Sequence, residues 1–570
     1  MTYITYFKKQ YTSKYSDYKE YRSHRRYAKP LYPVPSVLPQ PQFMPNYLVR
    51  TSDMKVVKGS EVHEGYCALS YSWDQSGEVL INKTTGKSYR IDQGKHEIIS
   101  SGKTARKKPR GRKRTSDRSK YVTFEGLIQE ICKDFHIKYI WYDQKCIDQG
   151  DEKKKREEIH QMHNIYSNAY CTVALVPEVG TPYRRHNYEE NATEEDYCWE
   201  DDSRADCSKL LRSQWMKRTW TLEEAIMSSK ILVVGRNVHF WGHQKDNTII
   251  PIFDEKFDTS AYRVLHYAHA RTSTKEHDLI FALANIFPDI MEQITVNYKQ
   301  DIQALMIQFY GLLAKKDLSI LCFGKYIEYP IMCRTSSYNT TKDKASEKNE
   351  YDIPIQKYDL PSWTGVNGEH EPESDLKTSF KNYIVHGRIL QVTCRAIMNN
   401  EHRTEFSTLQ AIYAKISSFW PQYGLYTDYD WRFAVRIRLQ ETLKEKLIII
   451  YEPLRGELYS TVYHKVTAIL YNLSHFLPIE KMDLQWIYQT YQKNRFQFRF
   501  LTEPFQNSAQ YAILAGVQFT DYAPYIPRSR YPVVKKEGDY YKAIGMCCIE
   551  WDDGDFFDDF KLEEQTFKIH

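Results

Sequence analysis

Tyr66-Cys67-Ala68-Leu69-Ser70-Tyr71 opens the part of the sequence that decides the fold. It is a short run of small and apolar residues, suited to a strand buried on both faces. Downstream, Phe124, Leu127, Ile128, Ile131, Cys132 and Phe135 recur at i, i+3, i+4, i+7, i+8 and i+11, one face of a helix. Tyr139-Ile140-Trp141-Tyr142 is the next strand. A second helical stripe, Ile159, Met162, Tyr166 and Ala169, follows a charged start at Asp151–Glu158. Cys171–Val176 is a third strand stopped by Pro177, Thr221–Ser228 is a short helix, and Ile231-Leu232-Val233-Val234 is a strand ending at Gly235. Apolar strands alternating with amphipathic helices predict an α/β fold, a parallel sheet with helices on both faces. Ligands bind such sheets beyond the carboxyl ends of the strands. Those ends carry Tyr71-Ser72-Trp73-Asp74 and Asp143-Gln144-Lys145-Cys146.

Around this core the chain divides by composition. Residues 1–46 hold eight tyrosines and six prolines without a sustained period, and read as a basic tail lacking fixed structure unless its tyrosines dock. Residues 47–240 carry the α/β pattern, with a hairpin at Val79–Ile91 turning at Thr84-Thr85-Gly86-Lys87. Two stretches look inserted, a basic one at 95–120 and an acidic one at 178–208. Residues 241–375 turn helical, with helices at Asp278–Ile286 and Ile302–Ala314 and a loop at Pro361-Ser362-Trp363. Residues 376–570 read as an accessory α+β region, with strands over Ile384–Val392 and helices over Ser407–Phe419 and Trp431–Ile450.

Composition excludes several classes. The 570 residues are 42% hydrophobic, enough to fill cores. The longest apolar runs, such as Ile448-Ile449-Ile450-Tyr451, fall far short of the ~20 residues of a membrane span. The N-terminus lacks the apolar region of a signal peptide. Eleven cysteines without a C-x-x-C pair suit a reducing, intracellular compartment rather than a disulfide framework or zinc site. The net charge of +6 is uneven: residues 1–29 carry +6 and residues 103–118 carry +8, leaving −8 on the rest. A mildly acidic body is not a general nucleic-acid-binding surface.

Three blocks together resemble the fungal heterokaryon-incompatibility (HET) domain. They are Ala68-Leu69-Ser70-Tyr71-Ser72-Trp73; Trp141 through Gln149, continuing to Glu157, Gln161, Met162, Ile165-Tyr166 and Ala169; and Arg218-Thr219-Trp220-Thr221-Leu222-Glu223-Glu224. Weaker echoes follow at Arg271, Asp278, Phe281-Ala282-Leu283, Asn297-Tyr298 and Pro361-Ser362-Trp363. Asp74 and Thr219 stand where the family usually has glycine, and Glu223 where it usually has glutamine. The family is related to TIR domains, so the resemblance implies a TIR-like, flavodoxin-like parallel sheet. It also implies a role in self/non-self recognition and regulated cell death. Some TIR domains cleave NAD with a glutamate in a W-x-x-x-E spacing, which Trp220 and Glu224 reproduce. On that likeness Glu224 is the candidate catalytic residue and NAD a substrate rather than a bound cofactor.

The residue chemistry suits this. Breaking a nicotinamide–ribose bond passes through an oxocarbenium-like sugar that one carboxylate stabilises. Tyr71, Ser72, Trp73 and Trp220 offer aromatic faces and a hydroxyl for a nucleotide, and Asp143 an acceptor for a ribose hydroxyl. Each has a structural alternative. Thr221-Leu222-Glu223-Glu224 is also a capping box with Glu224 at its third position. Trp220 suits a core, Asp143 a helix cap, and Cys146 a small buried thiol. His160 and His163 share a helix face without the spacing of a zinc-protease helix, so no metal is expected.

Lys107, Lys108, Arg110, Arg112, Lys113 and Arg114 form a basic run around Pro109 and Gly111. It resembles a nuclear-import signal, and its Pro-Arg-Gly-Arg core is similar to an AT-hook that enters the minor groove. The alternative is a solvated loop, or a salt-screened latch on the acidic stretch 178–208, which carries ten carboxylates. The expected partners are a second copy of the chain and a trigger protein, with neither nucleic acid nor a membrane span. A non-catalytic self-association module is the alternative function, with a nuclear DNA-binding factor behind it. The expected location is the cytoplasm, with the basic run as a route to the nucleus.

Overall fold

The computed structural model describes residues 2–8, 11–12, 34–72, 95–100, 118–148, 150–180, 209–236, 238–242, 252, 259–269 and 271–323. Further along it describes 358–365, 370, 377–399, 431–439, 442–451, 479–488, 495–500, 509–523, 526–550 and 554–570, with isolated positions between. The chain forms two compact units, Met1–Thr259 with Ala270–Gln300, and Ser260–His269 with Asp301–His570.

In the first unit the strands are β1 (Thr2–Phe7), β2 (Tyr11–Thr12), β3 (Tyr47–Arg50), β4 (Lys55–Lys58), β5 (Cys67–Ser70) and β6 (Lys95–Ser100). They continue with β7 (Arg118–Val122), β8 (Tyr139–Trp141), β9 (Thr172–Leu175), β10 (Ile231–Val234) and β11 (Val238–Trp241). Eight of these form one sheet in the order β2-β11-β10-β9-β5-β8-β3-β4. Its centre, β8-β5-β9-β10, is parallel, with Ala68 facing both Trp141 and Thr172, and Val173 facing Leu232. Every residue of β5, β9 and β10 is buried, as parallel strands covered on both faces require.

In chain order the four parallel strands lie 2-1-3-4, which places a topological switch between β5 and β9. The expectation of a parallel sheet holds for this centre. Around it the sheet is mixed, because β3 and β4 join β8 in antiparallel fashion and β11 runs antiparallel to β10.

The helices follow the predicted stripes. Helix α1 (Phe124–Asp134) buries Phe124, Leu127, Ile128, Ile131 and Cys132, and Thr123 caps it by accepting from the Gly126 N–H. Helix α2 (Asp143–Cys146) is a single turn after β8. Helix α3 (Glu152–Asn168) is capped by Asp151 and buries Ile159, Met162, Ile165 and Tyr166. Then come α4 (Gln214–Lys217), α5 (Trp220–Met227), the second unit's α6 (Ala261–His269), α7 (Glu276–Ile286) and α8 (Pro288–Met291). Helices α3, α5 and α7 pack on one another.

Two pieces of the N-terminal tail are built into sheets, a departure from the lack of structure expected of residues 1–46. Strand β1 pairs in parallel with β6, which runs antiparallel to β7, and β2 pairs with β11. Ile4 and Tyr6 explain the docking: both are buried, Tyr6 Oη donates to Asp134 Oδ2 at 2.8 Å, and Lys8 ion-pairs with Glu130. Strands β6 and β7 are the ends of the basic stretch. Residues 101–117 between them, the hairpin at Val79–Ile91 and nearly all of the acidic stretch lie outside the described residues.

In the second unit, α6 and α9 (Ile302–Lys316) accompany a sheet of thirteen strands, among them Tyr383–His386, Ile389–Arg395, Trp431–Leu439 and Glu445–Tyr451. The expected helix over Trp431–Ile450 is instead an antiparallel hairpin. Val435, Ile437 and Leu439 alternate at period two and face a core shared with Ile448 and Ile450. The expected helix over Ser407–Phe419 falls largely outside the described residues. At Pro361-Ser362-Trp363 the chain makes a single turn of 3-10 helix, and the buried Trp363 indole donates to the Arg388 carbonyl at 3.0 Å.

Candidate functional site

Glu224, the candidate catalytic residue, is tied to the carboxyl end of β5. Ser70, the last residue of β5, is wholly buried, and Trp215 Nε1 of α4 donates to its Oγ at 2.7 Å. Ser70 Oγ in turn donates to Glu224 Oε2. Glu224 comes from α5, on the connection from β9 to β10, and is 6% exposed. The carboxyl group therefore lies at the topological switch, where open α/β sheets place their ligands.

Burial is the largest influence on Glu224 and pushes its pKa up to about 8. Asp143 adds repulsion, while hydrogen bonds from Ser70 and Tyr166 and the positive charge of Arg271 pull the other way. Glu223, next in the chain, is fully buried, and both its carboxyl oxygens lack a partner among the described residues. Burial, then repulsion by Glu224, raises it well above the ordinary range. Glu224 thus favours its neutral form near neutral pH, and Glu223 beside it is shifted in the same direction.

Helix α5 begins one residue before the predicted capping box. Thr219 is the cap position, and it caps nothing with its side chain. Thr221 lies inside the helix, where its hydroxyl donates to the Arg218 carbonyl at 2.8 Å and accepts from Arg271 Nη1 at 2.9 Å. The capping-box reading of Glu224 is corrected accordingly: its carboxyl reaches Ser70, across the sheet end, rather than the backbone of its own helix.

The other predicted residues fall as follows. Tyr71 is buried, with its ring 5.0 Å from that of Phe124 and its hydroxyl 3.4 Å from Gln144 Oε1. Ser72 is buried beside it. Asp143 is half-buried at the first position of α2, where its Oδ1 accepts from the Gln144 N–H at 2.7 Å. Trp220 is half-buried and hydrogen-bonds Asp278, which also accepts from Tyr298 Oη at 2.8 Å. Cys146 is buried, and burial pushes its thiol up to about 12, so it is no nucleophile at neutral pH. His163 Nδ1 sits 3.3 Å from Asn285 Oδ1. Trp73 and the basic residues Lys107, Lys108, Arg110, Arg112, Lys113 and Arg114 lie outside the described residues.

Four participants were not singled out from the sequence as site residues, Ser70, which holds the Glu224 carboxyl, among them. Trp215 orients Ser70, Tyr166 touches Glu224, and Arg271 supplies the nearby positive charge. Arg271 was at least within reach of a motif reading, as one of the weaker echoes. Tyr166 sat on the buried stripe of α3, and Trp215 carries no local pattern that marks it.

Residues 66–224 match the family model described as "Heterokaryon incompatibility protein (HET)". No curated protein and no solved structure matches the chain. Among the described residues no helix is long and apolar enough to cross a membrane.

Proposed function

Residues 66–224 make this chain a heterokaryon-incompatibility (HET) domain protein, and from that premise we propose an effector of self/non-self recognition and regulated cell death. Its proposed reaction is hydrolysis of NAD or a related nucleotide at the glycosidic bond. The observation that carries the reading is Glu224, held by Ser70 at the carboxyl end of the first parallel strand. In the reaction the nicotinamide–C1′ bond breaks, and nicotinamide leaves with the bonding electron pair. Water adds to C1′ and releases a proton, giving ADP-ribose. The ionised Glu224 carboxylate faces the developing positive charge on the ribose. Nicotinamide is a good enough leaving group to need no separate acid. Asp143, whose charge acts on Glu224, and Tyr71 are the proposed contacts to ribose and ring. The kinship of the domain with TIR domains belongs to the same proposal.

A second reading has its own support. Glu224 is 6% exposed and already engaged, which suits a structural tie in a non-catalytic module that works by self-association and binding of a trigger protein. Induced expression of the full chain in a fungal host separates the two. Catalysis predicts that wild type kills and Glu224→Gln, accumulating equally, does not. Equal killing by both rejects catalysis by Glu224 and leaves the association reading.

A further inference from the structure

A second concave site lies away from Glu224, between the loop that leads into β3 and the start of α3. It is a half-open pocket of about 460 Å³, the size of an ordinary small-molecule site. Met44, Pro45, Tyr47 and the buried Cys146 are among the residues that line it. Glu158 of α3 lines the same pocket and is 6% exposed. Among the described residues its one hydrogen bond comes from Asn46 Nδ2, at 2.6 Å to Oε1. The second carboxylate oxygen has no hydrogen-bond partner among the described residues, and the side chain lines the pocket.

The charges say what would fit. Two lysines line the pocket: Lys154 is already answered by Asp148 at 3.6 Å and Asp151 at 3.5 Å, and Lys58 is exposed and is not among the groups that act on Glu158. Glu157 and Glu158 both line the pocket; burial raises the Glu158 pKa most, and repulsion by Glu157 adds to it. A carboxylate sunk in a part-apolar wall without a cation is costly, and a ligand that brings the cation removes the cost. A bare metal ion is a poor match, because no group of three or more metal-ligating side chains occurs among the described residues. An ammonium on an apolar body satisfies both the carboxylate and the wall.

We propose that this pocket binds a small organic ammonium compound, with Glu158 taking its N–H groups and Met44, Pro45 and Tyr47 covering its carbon body. The site is independent of the catalytic reading. It does bear on it, because Cys146 closes the single-turn helix that Asp143 opens, so a bound ligand rests on the element that presents Asp143 to Glu224.

The test is a thermal-melting series on the full chain with millimolar butylamine, phenethylamine and spermidine, each run beside a neutral control: butanol, phenethyl alcohol and 1,8-octanediol. The expected result is a Tm rise of about 2 °C or more for at least one amine, beyond that of its control. Glu158→Gln, which keeps an acceptor for Asn46, is expected to abolish the difference. No amine exceeding its control overturns the proposal, and so does an amine-specific rise that survives in Glu158→Gln. Should that variant fail to fold, the wild-type amine-against-control comparison decides alone. An equal rise with magnesium chloride would identify a generic cation effect and reject an organic ligand.

Discussion

Ser70 and Glu224, 154 residues apart in the chain, are hydrogen-bond partners at the carboxyl end of β5. The bond joins the first parallel strand to the helix of a later crossover, so the sheet must be assembled before the carboxyl finds its place. Trp215 holds the serine from the other side at 2.7 Å. A buried chain of indole, hydroxyl and carboxyl is costly to interrupt, since each group left behind is desolvated and unpaired.

Ser70→Ala is therefore expected to destabilise the first unit by about 1–3 kcal/mol, because it removes the hydroxyl that accepts from Trp215 Nε1 and one of the hydrogen bonds to the buried Glu224 carboxyl. Denaturant unfolding followed by tryptophan fluorescence measures this. Because the Ser70 bond lowers the Glu224 pKa, its loss also moves that pKa further up. An unchanged midpoint would mean that the serine carries no weight in the chain.

Stability should fall as pH rises from about 5 to about 8. Glu224 has a folded pKa of about 8 against an ordinary 4.5, so over that window the folded state holds a proton that the unfolded state has lost. Proton uptake by the folded form makes each step up in pH unfavourable to folding, until the folded pKa is passed. Glu223 is raised as well and adds a decline of the same sign. Melting curves across that range should flatten in Glu224→Gln and flatten further in Glu223→Gln/Glu224→Gln. A slope identical to wild type would show that neither carboxyl is held neutral.

The docked N-terminal strand gives a third prediction. Tyr6→Phe removes the hydroxyl that donates to Asp134 at 2.8 Å and keeps the buried ring. The expected cost is about 0.5–1.5 kcal/mol. Hydrogen exchange should report faster exchange in β1 and its partner β6, while β9 and β10 stay protected. Faster exchange throughout the unit would mean that the strand is part of its global fold.

The readability of this chain followed the range of its interactions. Cys67–Ser70, Thr172–Leu175 and Ile231–Val234 are short apolar runs bounded by turns, and α1 shows its stripe from Phe124 to Cys132; such signals are local and survive without tertiary context. Trp431–Tyr451 misled, because its turn carries Leu443 at φ 56° rather than the glycine or asparagine that usually marks a left-handed position. Read without that punctuation, two apolar strands look like one helix. Strand β1 escaped notice because six residues in a tyrosine-rich tail show no boundary, and only Asp134 and β6 give them a place. At the site, Glu224 was legible from its spacing to Trp220. Its real tie to Ser70 was not, because a helix of this composition caps plausibly on its own. Trp215 and Arg271 act from neighbouring segments that no periodic pattern connects to it.

The proposed chemistry sets a fourth expectation, for its pH profile. Ionised Glu224 is the form that faces a cationic ribose, so NAD turnover should rise with pH toward a limb near the carboxyl's pKa of about 8. A flat profile across that region would assign the rate to another group.

The most direct measurement is loss of NAD over time by the purified full chain, beside Glu224→Gln at the same concentration and with the same circular dichroism spectrum. The account predicts release of nicotinamide and ADP-ribose by wild type and a fall of at least about a hundred-fold in the variant, the scale of a lost transition-state contact. Cleavage at an equal rate by both proteins would contradict it and remove Glu224 from the reaction.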